Sequence, residues 1–185
     1  TCVALSAALL AGCGTMRVTP PADVQQPRRV HLVGYGMHAS LVLPAGDHEL
    51  IEFAYGQWEW FALGRQRWHD GLRAIACGRG TLGRRSMPGP VSSETLKRYL
   101  GAEQVHELEV EGLAADGLRI VLEGIFAAGA EEAVHNEAME MTFVPHPRAY
   151  APWRNCNTVV AGWLETLGCH VRGDRNSADF RIEPR

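Results

Sequence analysis

The stretch that sets the fold runs from residue 29 to residue 56 and reads RVHLVGYGMHASLVLPAGDHELIEFAYG. Its apolar and β-branched residues fall into three short runs, 29–33, 38–43 and 49–54, and glycine or proline follows each run within two residues. Short runs bounded by turn residues are typical of β-strands. Because short glycine-containing turns separate them, the stretch predicts neighbouring strands paired as antiparallel hairpins.

The rest of the chain predicts helices and one more strand. Apolar residues at helical spacing predict the helices. For two of them, serine or asparagine before the apolar residues and glycine after them indicate where the helix begins and ends. We expect helices over about 66–76, from Ser92 or Ser93 to Leu100, over 116–128 and over 156–167, and a strand over 105–110.

Composition excludes several classes of protein. The chain has 185 residues, of which 46% are apolar and 21% charged, which predicts one folded domain with a substantial core. It carries 18 basic and 21 acidic residues, a formal charge of −3, so no basic surplus would attract a phosphate backbone. Nucleic-acid binding is therefore not expected.

The N-terminal residues predict a targeting segment rather than a part of the folded domain. Residues 3–12 form an apolar run that is too short to cross a bilayer, and it resembles the core of a signal peptide. Leu10-Ala11-Gly12-Cys13 resembles a bacterial lipobox, in which the cysteine receives a diacylglycerol. We expect a signal peptide over 1–12, lipidation at Cys13, a proline-containing tether over 13–29, and a periplasm-facing domain over 30–185, anchored to the membrane of the cell envelope. The alternative is a buried N-terminal helix.

The spacing of Cys156, His38 and Glu52 predicts a nucleophilic site. Cys156 falls in the first turn of a helix capped by Asn155, where the helix dipole and free backbone N–H groups favour a thiolate. His38 begins a strand after a glycine turn, and Glu52 lies on the next strand, so a hairpin can bring both side chains to one face and one end. In such a set His38 takes the thiol proton, Cys156 attacks a carbonyl, and Glu52 orients the imidazole.

Three motifs carry a family resemblance: GMHASLVLP from Gly36, IEFAYG from Ile51 and NCNT from Asn155. They resemble a bacterial domain of unknown function, sometimes found near urease genes, over roughly residues 30–170. The usual motifs of that family read GWHTG, EFGWG and CNTW. The motifs are also similar to those of the circularly permuted papain-like, NlpC-like group that includes lecithin:retinol acyltransferase.

The resemblance implies an α+β, circularly permuted papain-like fold, with an antiparallel sheet packed against the cysteine-bearing helix. It implies Cys156 as nucleophile, His38 as base and Glu52 as the orienting residue. Met37 and Val159 stand where the family has tryptophan, so its substrate pocket transfers less well. The rigid segment before the cysteine is expected to form a wall of the cleft, and Tyr35, Tyr150 and Trp153 are its candidate substrate-binding residues.

Other interpretations of the same residues stay open. Cys156 is otherwise an inert core cysteine, or it pairs with Cys77 or Cys169; a bridge between Cys77 and Cys169 is the preferred one if any forms. His38 is otherwise a half-buried strand histidine, Glu52 a solvated strand residue, and Arg84-Arg85 a solvated pair. No histidine pair or Cys-x-x-Cys framework has zinc spacing, so we expect no metal and no cofactor.

The leading hypothesis is therefore a thiol hydrolase or acyltransferase. It would act on an amide or ester of cell-envelope material, either a peptide, a glycan-linked peptide or a lipid-linked acyl group. The rival is a non-catalytic envelope lipoprotein whose cleft binds peptide or glycan.

Overall fold

A seven-stranded antiparallel sheet forms the centre of the computed structural model, which describes residues 14–65 and 77–184. Its spatial order is β6-β2-β3-β4-β5-β8-β7. The strands are β2 (Pro27–Gly34), β3 (Ala39–Pro44), β4 (Glu49–Gln57), β5 (Gly80–Pro88), β6 (Gln104–Glu111), β7 (Val134–Asn136) and β8 (Met141–Pro145). The predicted hairpins of β2, β3 and β4 are confirmed, as is the strand predicted over 105–110.

A second, three-stranded sheet joins the two ends of the described chain. Its central strand β1 (Met16–Thr19) pairs antiparallel with β9 (His170–Gly173) and parallel with β10 (Phe180–Ile182). Residues 16–19, assigned from sequence to the tether, are thus part of the fold, because Met16 and Val18 are fully buried in the main core.

Four α-helices lie on the sheets in the described residues: α1 (Trp58–Phe61), α2 (Ser93–Leu100), α3 (Gly112–Ala128) and α4 (Cys156–Thr166). Two 3-10 turns, Ala130–Glu132 and Glu137–Met139, lie on either side of β7. Three helices lie where the sequence predicts them, although α3 begins four residues earlier than residue 116. The helix predicted over 66–76 lies outside the described residues.

The large sheet is buried on both faces. On one face, which we call the helix face, Leu41 and Phe53 pack with Leu122 of α3, Val160 of α4 and the small sheet. The opposite face, which we call the cavity face, carries two smaller clusters. One joins Val33 and Val42 to Leu96 of α2.

The other cluster on the cavity face packs Ala54 and Phe143 with Trp58 of α1. Together, the elements make a mixed α+β protein with a large antiparallel sheet. Within the described ranges, none of the helices is both long and apolar enough to span a membrane.

Candidate functional site

A tight turn between β2 and β3 fixes the directions of Tyr35 and His38. The Tyr35 N–H donates to the His38 carbonyl at 2.8 Å, and the Met37 N–H donates to the Tyr35 carbonyl at 3.0 Å. Gly36 has φ of +80°, a conformation that favours glycine. Because Tyr35 and His38 face each other across this turn, their side chains project from the same face, with ring centroids 6.1 Å apart.

The register of β3 and β4 places Glu52 on that same face. Ser40 pairs with Ala54 and Val42 pairs with Glu52. Extending the register puts His38 opposite Gly56, so Glu52 shares the face of His38 but not its end of the hairpin. The side chain of Glu52 points away from Ile51 and Phe53, as the sequence predicts, yet it is fully buried rather than solvated.

Glu52 is the centre of a buried hydrogen-bond network. Its Oε1 accepts bonds of 2.5 Å from the Tyr35 hydroxyl and from Ser40 Oγ. Its Oε2 accepts from Arg85 Nε at 2.9 Å and from Arg85 Nη2 at 2.6 Å, and Arg85 Nη1 donates to the Met139 carbonyl at 3.2 Å. The expectation that Arg85 lies on a solvated face is wrong, since its side chain is only 10% exposed. Strand β5, which the sequence did not predict, brings it inside.

The expected bond between Glu52 and His38 is absent from this network. Both carboxylate oxygens of Glu52 are taken by Tyr35, Ser40 and Arg85, and none of the described hydrogen bonds joins Glu52 to the imidazole. Glu52 therefore holds Tyr35 and Arg85 in place and does not orient His38 directly.

The imidazole of His38 lies against aromatic rings. Its centroid is 4.7 Å from that of Phe61, and its Nδ1 is buried with no hydrogen-bond partner in the described part of the chain. Burial lowers the pKa of His38 to about 4, so the ring is neutral near neutral pH. Burial, and then the neighbouring Glu52, raise the pKa of Tyr35, which keeps its hydroxyl protonated and donating.

These residues line one cavity of about 590 Å³ on the cavity face. Its polar wall consists of Tyr35, His38, Glu52 and Arg85, and Arg98, Glu137 and Glu140 add charges of both signs. The rest is apolar or aromatic: Ala54, Phe61, Tyr99, Leu100, Met139, Met141 and Phe143 are among these lining residues.

Cys156 stands where the sequence predicts it, at the N-terminus of α4. Asn155 caps the helix: its side chain accepts the Thr158 N–H at 2.9 Å, and Thr158 Oγ1 accepts the Asn155 N–H at 2.9 Å. This reciprocal capping box fixes the first turn. Cys156 is buried, and the following helix packs into the core of the helix face.

The thiol of Cys156 meets the backbone beside His38, not its ring. Sγ lies 3.3 Å from Asn157 Oδ1 and 4.0 Å from the Met37 carbonyl oxygen. Burial raises the pKa of Cys156 to about 11, although the backbone N–H groups of Ala39, Asn157 and Cys156 itself act to lower it. The imidazole of His38 projects into the cavity face, so the hydrogen-bonded Cys156/His38/Glu52 triad expected from sequence is not assembled.

Tyr150 lies near Cys156 and belongs to an aromatic cluster with Tyr55 and His146. Burial, and then the nearby Cys156, raise the pKa of Tyr150, and the Tyr150 ring stacks on Tyr55 with centroids 6.1 Å apart. The edge of His146 meets Tyr55 at 4.9 Å, and the Tyr55 hydroxyl donates to the Arg148 carbonyl at 3.2 Å. The sequence predicted Tyr150 and placed His146 in the segment 144–153 expected to form a wall of the cleft, but it missed Tyr55; the alternation of β4, which turns Tyr55 away from Glu52, could have indicated it.

The other residues that the sequence singled out lie away from the cavity or outside the described residues. Trp153 is 72% exposed and lines a groove between α3 and α4, whereas Cys13 lies outside the described residues. Cys77, Cys156 and Cys169 are all free thiols, so the optional bridge between Cys77 and Cys169 is not formed. Among described residues, no group of three or more His, Cys, Asp or Glu side chains could hold a metal ion.

Comparison of the chain with protein-family models, with curated proteins and with solved structures found no match. The resemblance to the bacterial domain of unknown function, and to the permuted papain-like group, therefore stays a prediction.

Proposed function

We propose that this protein binds a peptide or glycan fragment of the cell envelope in the cavity lined by Tyr35, His38, Glu52 and Arg85. One observation carries the proposal: four polar side chains converge on one wall of a cavity with polar and apolar lining, and one of them, His38, has a ring nitrogen that no described residue satisfies. Buried polar groups are nearly always paired, so an unpaired group beside a cavity favours a ligand.

The size and lining of the cavity suit such a ligand. A volume of about 590 Å³ is within the range of small-molecule sites. Phe61 and Tyr99 offer aromatic faces to the apolar side of a sugar ring or a side chain, while Arg98 and Glu137 offer partners for amides, hydroxyls and terminal charges. Because Glu52 and Arg85 neutralise each other, the polar wall favours a ligand that is neutral or carries both signs of charge.

Binding is favoured over catalysis in this cavity by its chemistry. Cysteine, serine, threonine and lysine are missing from its described lining residues, so these residues offer no thiol, aliphatic hydroxyl or amine nucleophile. Ser40 lies close by, but its hydroxyl is committed to Glu52. A histidine whose pKa is about 4 is a weak base at neutral pH, whereas a neutral imidazole is a good hydrogen-bonding group for recognition.

Calorimetric titration tests the proposal with three probes: muramyl dipeptide, an N-acetylglucosamine trimer and an alanine tripeptide. We expect at least one to bind the full chain, and expect Tyr99→Ala, which removes an aromatic wall, to weaken that binding at least tenfold. Trp153→Ala is the matched control, because it removes an exposed aromatic ring from the other side of the sheet and should change nothing. No binding of any probe at millimolar concentration, or equal losses in both variants, would overturn the proposal.

A second candidate function is thiol acyl transfer at Cys156. The specific observation in its favour is that three backbone N–H groups, from Ala39, Asn157 and Cys156, stabilise a negative charge on Sγ. Such groups suit a thiolate or the oxyanion of an acyl intermediate. In this reaction Sγ would attack an amide or ester carbonyl to form a thioester, and the thiol proton would leave with the released amine or alcohol.

The permuted papain-like fold, which the resemblance implies together with a cysteine nucleophile, is part of this second proposal. The antiparallel sheet packed against a helix that begins at a cysteine supports it, and the separation of His38 from Cys156 weighs against it. Mass spectrometry of the chain after incubation with envelope extract tests it: an acyl adduct on Cys156, absent from Cys156→Ser, would support acyl transfer. An unmodified Cys156 would contradict acyl transfer, and binding in the cavity would be the remaining candidate function.

We further propose that the protein is a periplasm-facing lipoprotein anchored through Cys13. The supporting feature is the motif Leu10-Ala11-Gly12-Cys13 after an apolar run. Expression in a bacterial cell with radiolabelled fatty acid should label the wild-type chain and not Cys13→Ser. Equal labelling of the two chains would contradict the anchor.

A further inference from the structure

An exposed apolar surface lies on the helix face, on the other side of the large sheet from the cavity. We call it the α3/α4 face; it consists of Leu113, Ile120 and Val121 on α3, Trp153, and the groove between α3 and α4 with its arginines Arg148, Arg154 and Arg175. We propose that this face docks on a membrane surface that carries anionic phospholipids.

The apolar part of the face is formed by the outer side of α3. Leu113, Ile120 and Val121 are 76%, 61% and 59% exposed and share one side of the helix. A Cβ built at Gly117 or Gly124, on the same side, would meet nothing within 4 Å. Leu118 and Leu122 are buried on the inner side, so α3 is apolar on both sides. A helix that packs on the core through one face normally has a polar outer face.

The groove beside this stripe is apolar and basic. Its volume is about 1010 Å³, and Leu122, Ile125, Val159 and Trp163 contribute to its lining. Arg148, Arg154 and Arg175 also line it, whereas no aspartate or glutamate appears among its described lining residues.

Arg175 forms an ion pair of 2.6 Å with Glu165, so the net positive charge of the groove comes from Arg148 and Arg154. A chain whose formal charge is −3 thus concentrates positive charge next to its exposed apolar stripe. Apolar area flanked by arginines is the chemistry that binds acidic lipid surfaces.

Two further features fit a membrane. Trp153 is exposed at the margin of the groove, and tryptophan is the side chain most typical of the membrane interface. The first described residue, Gly14, packs against the side chain of Asp174, next to Arg175. Gly14 therefore lies at the edge of the α3/α4 face, so a lipid on the preceding residue in the sequence, Cys13, would keep this face close to the bilayer.

Charge favours a membrane over a second copy of the chain. A two-fold dimer through this face would bring together the groove arginines of both copies, and the described lining residues of the groove include no aspartate or glutamate to pair with them. Anionic headgroups supply the missing negative charge.

Vesicle flotation of the full chain tests the proposal. The vesicles are phosphatidylcholine alone, or phosphatidylcholine with one third phosphatidylglycerol. We expect more binding to the anionic vesicles, a loss of roughly fivefold for each arginine removed in Arg148→Gln/Arg154→Gln, and a weaker dependence on salt in that variant. Ile120→Glu/Val121→Glu should abolish the binding that depends on this face.

Matched controls carry the same changes elsewhere. Arg29→Gln/Arg79→Gln removes the same charge from two exposed arginines that lie beside Glu107 and Glu132, and Leu63→Glu places one acid on another exposed apolar residue; both should bind like wild type. Residues 1–13 are present in every chain, so differences between variants report on the face alone. Circular dichroism verifies that each variant is folded, and the arginine variant leaves the apolar packing untouched.

Two results would overturn the proposal. One is equal binding of the wild type, the arginine variant and the controls to anionic vesicles. The other is a dimer of the wild type in lipid-free solution that Ile120→Glu/Val121→Glu converts to a monomer, which would make the face an interface between copies of the chain.

Discussion

The imidazole of His38 and the thiol of Cys156 lie on opposite faces of the large sheet. The peptide groups on either side of His38 approach Sγ, through the Met37 carbonyl and the Ala39 N–H, while the ring itself packs on Phe61 and Tyr35. Because side chains alternate along a strand, Ala39 faces the helix and its neighbour His38 faces the cavity. The two sites should therefore respond independently to mutation.

Alkylation by iodoacetamide should report this separation. Burial raises the pKa of Cys156 to about 11, so little thiolate exists at neutral pH and labelling should be slow, rising with pH beyond the neutral range. Cys77 is exposed in the same chain and provides an internal comparison. Peptide mapping by mass spectrometry should show Cys77 labelled well before Cys156, and His38→Ala should leave the rate at Cys156 unchanged.

The opposite order would contradict this account. If Cys156 reacts faster than Cys77 near pH 6, and His38→Ala slows that reaction, the two side chains form a catalytic pair in solution, and the thiol function replaces the binding function.

The buried pair of Glu52 and Arg85 should be costly to break from either side. Glu52→Gln leaves a guanidinium that is only 10% exposed without its counter-charge, and we expect a loss of about 3–5 kcal/mol in the free energy of unfolding. Glu52→Gln/Arg85→Met removes both charges, so it should lose less than the sum of the losses in Glu52→Gln and Arg85→Met. Urea denaturation of this cycle measures the difference.

An exposed pair offers the control for that experiment. Arg79 and Glu132 are 2.8 Å apart, with side chains 43% and 60% exposed. Glu132→Gln should cost less than about 1 kcal/mol. A similar cost for Glu52→Gln would show that the Glu52 network is not a buried one.

The titration of His38 should make stability depend on pH. Its pKa is about 4 in the folded protein and about 6.5 in an unfolded chain, so the unfolded state takes up the proton first as pH falls. The stability it contributes is fully present above about pH 6.5 and is lost between that value and about pH 4, by no more than roughly 3 kcal/mol.

Replacing His38 by phenylalanine should remove that part of the pH dependence. His31, whose pKa burial also lowers, stays in both chains, so its contribution cancels in the comparison. We expect the difference between the urea midpoints at about pH 7.5 and about pH 5 to be smaller in His38→Phe than in wild type. An equal fall of the urea midpoint in the two chains between these pH values would mean that burial does not lower the pKa of His38.

Gly56 should resist substitution because Phe61 occupies the space beside it. A Cβ at Gly56 would overlap the Phe61 ring, which is the ring that packs on His38. We expect Gly56→Ala to cost about 1–3 kcal/mol in thermal or urea unfolding.

Gly117→Ala is the opposite case. It lies within α3 with nothing within 4 Å of a built Cβ, so alanine should raise the unfolding free energy by about 0.4–1 kcal/mol. Destabilisation by both substitutions to the same extent would contradict the packing described around Gly56.

Local patterns predicted much of this structure. The hairpins of 29–56 followed from short apolar runs between turn residues, and the place of Cys156 followed from the Asn155 cap and the glycine that ends the helix. Strand β1 was missed because it is short and pairs only with β9 and β10, at the other end of the chain. Strand β8 was missed as well; it is short and lies between β5 and β7. Without β5 as a strand, nothing in the sequence indicated that Arg85 would reach Glu52.

The direction of His38 was beyond prediction for a different reason. It depends on the tight turn that sets Tyr35 opposite His38, and a shift of one residue in that turn would reverse every side chain of β3. The sequence therefore placed His38 and Glu52 on one face and named Tyr35 as a candidate substrate-binding residue, yet it also placed Cys156 with them, which the alternation of β3 prevents.

The most direct test of the binding cavity is amide chemical-shift mapping of the isotope-labelled full chain during titration with the probe that binds best among muramyl dipeptide, the N-acetylglucosamine trimer and the alanine tripeptide. We expect saturable amide chemical-shift changes that cluster at Tyr35, His38, Arg85 and Tyr99, and no change at Cys156 and Tyr150. Shifts confined to the surroundings of Cys156, or no saturable shift at the cavity with any of the three probes, would contradict it.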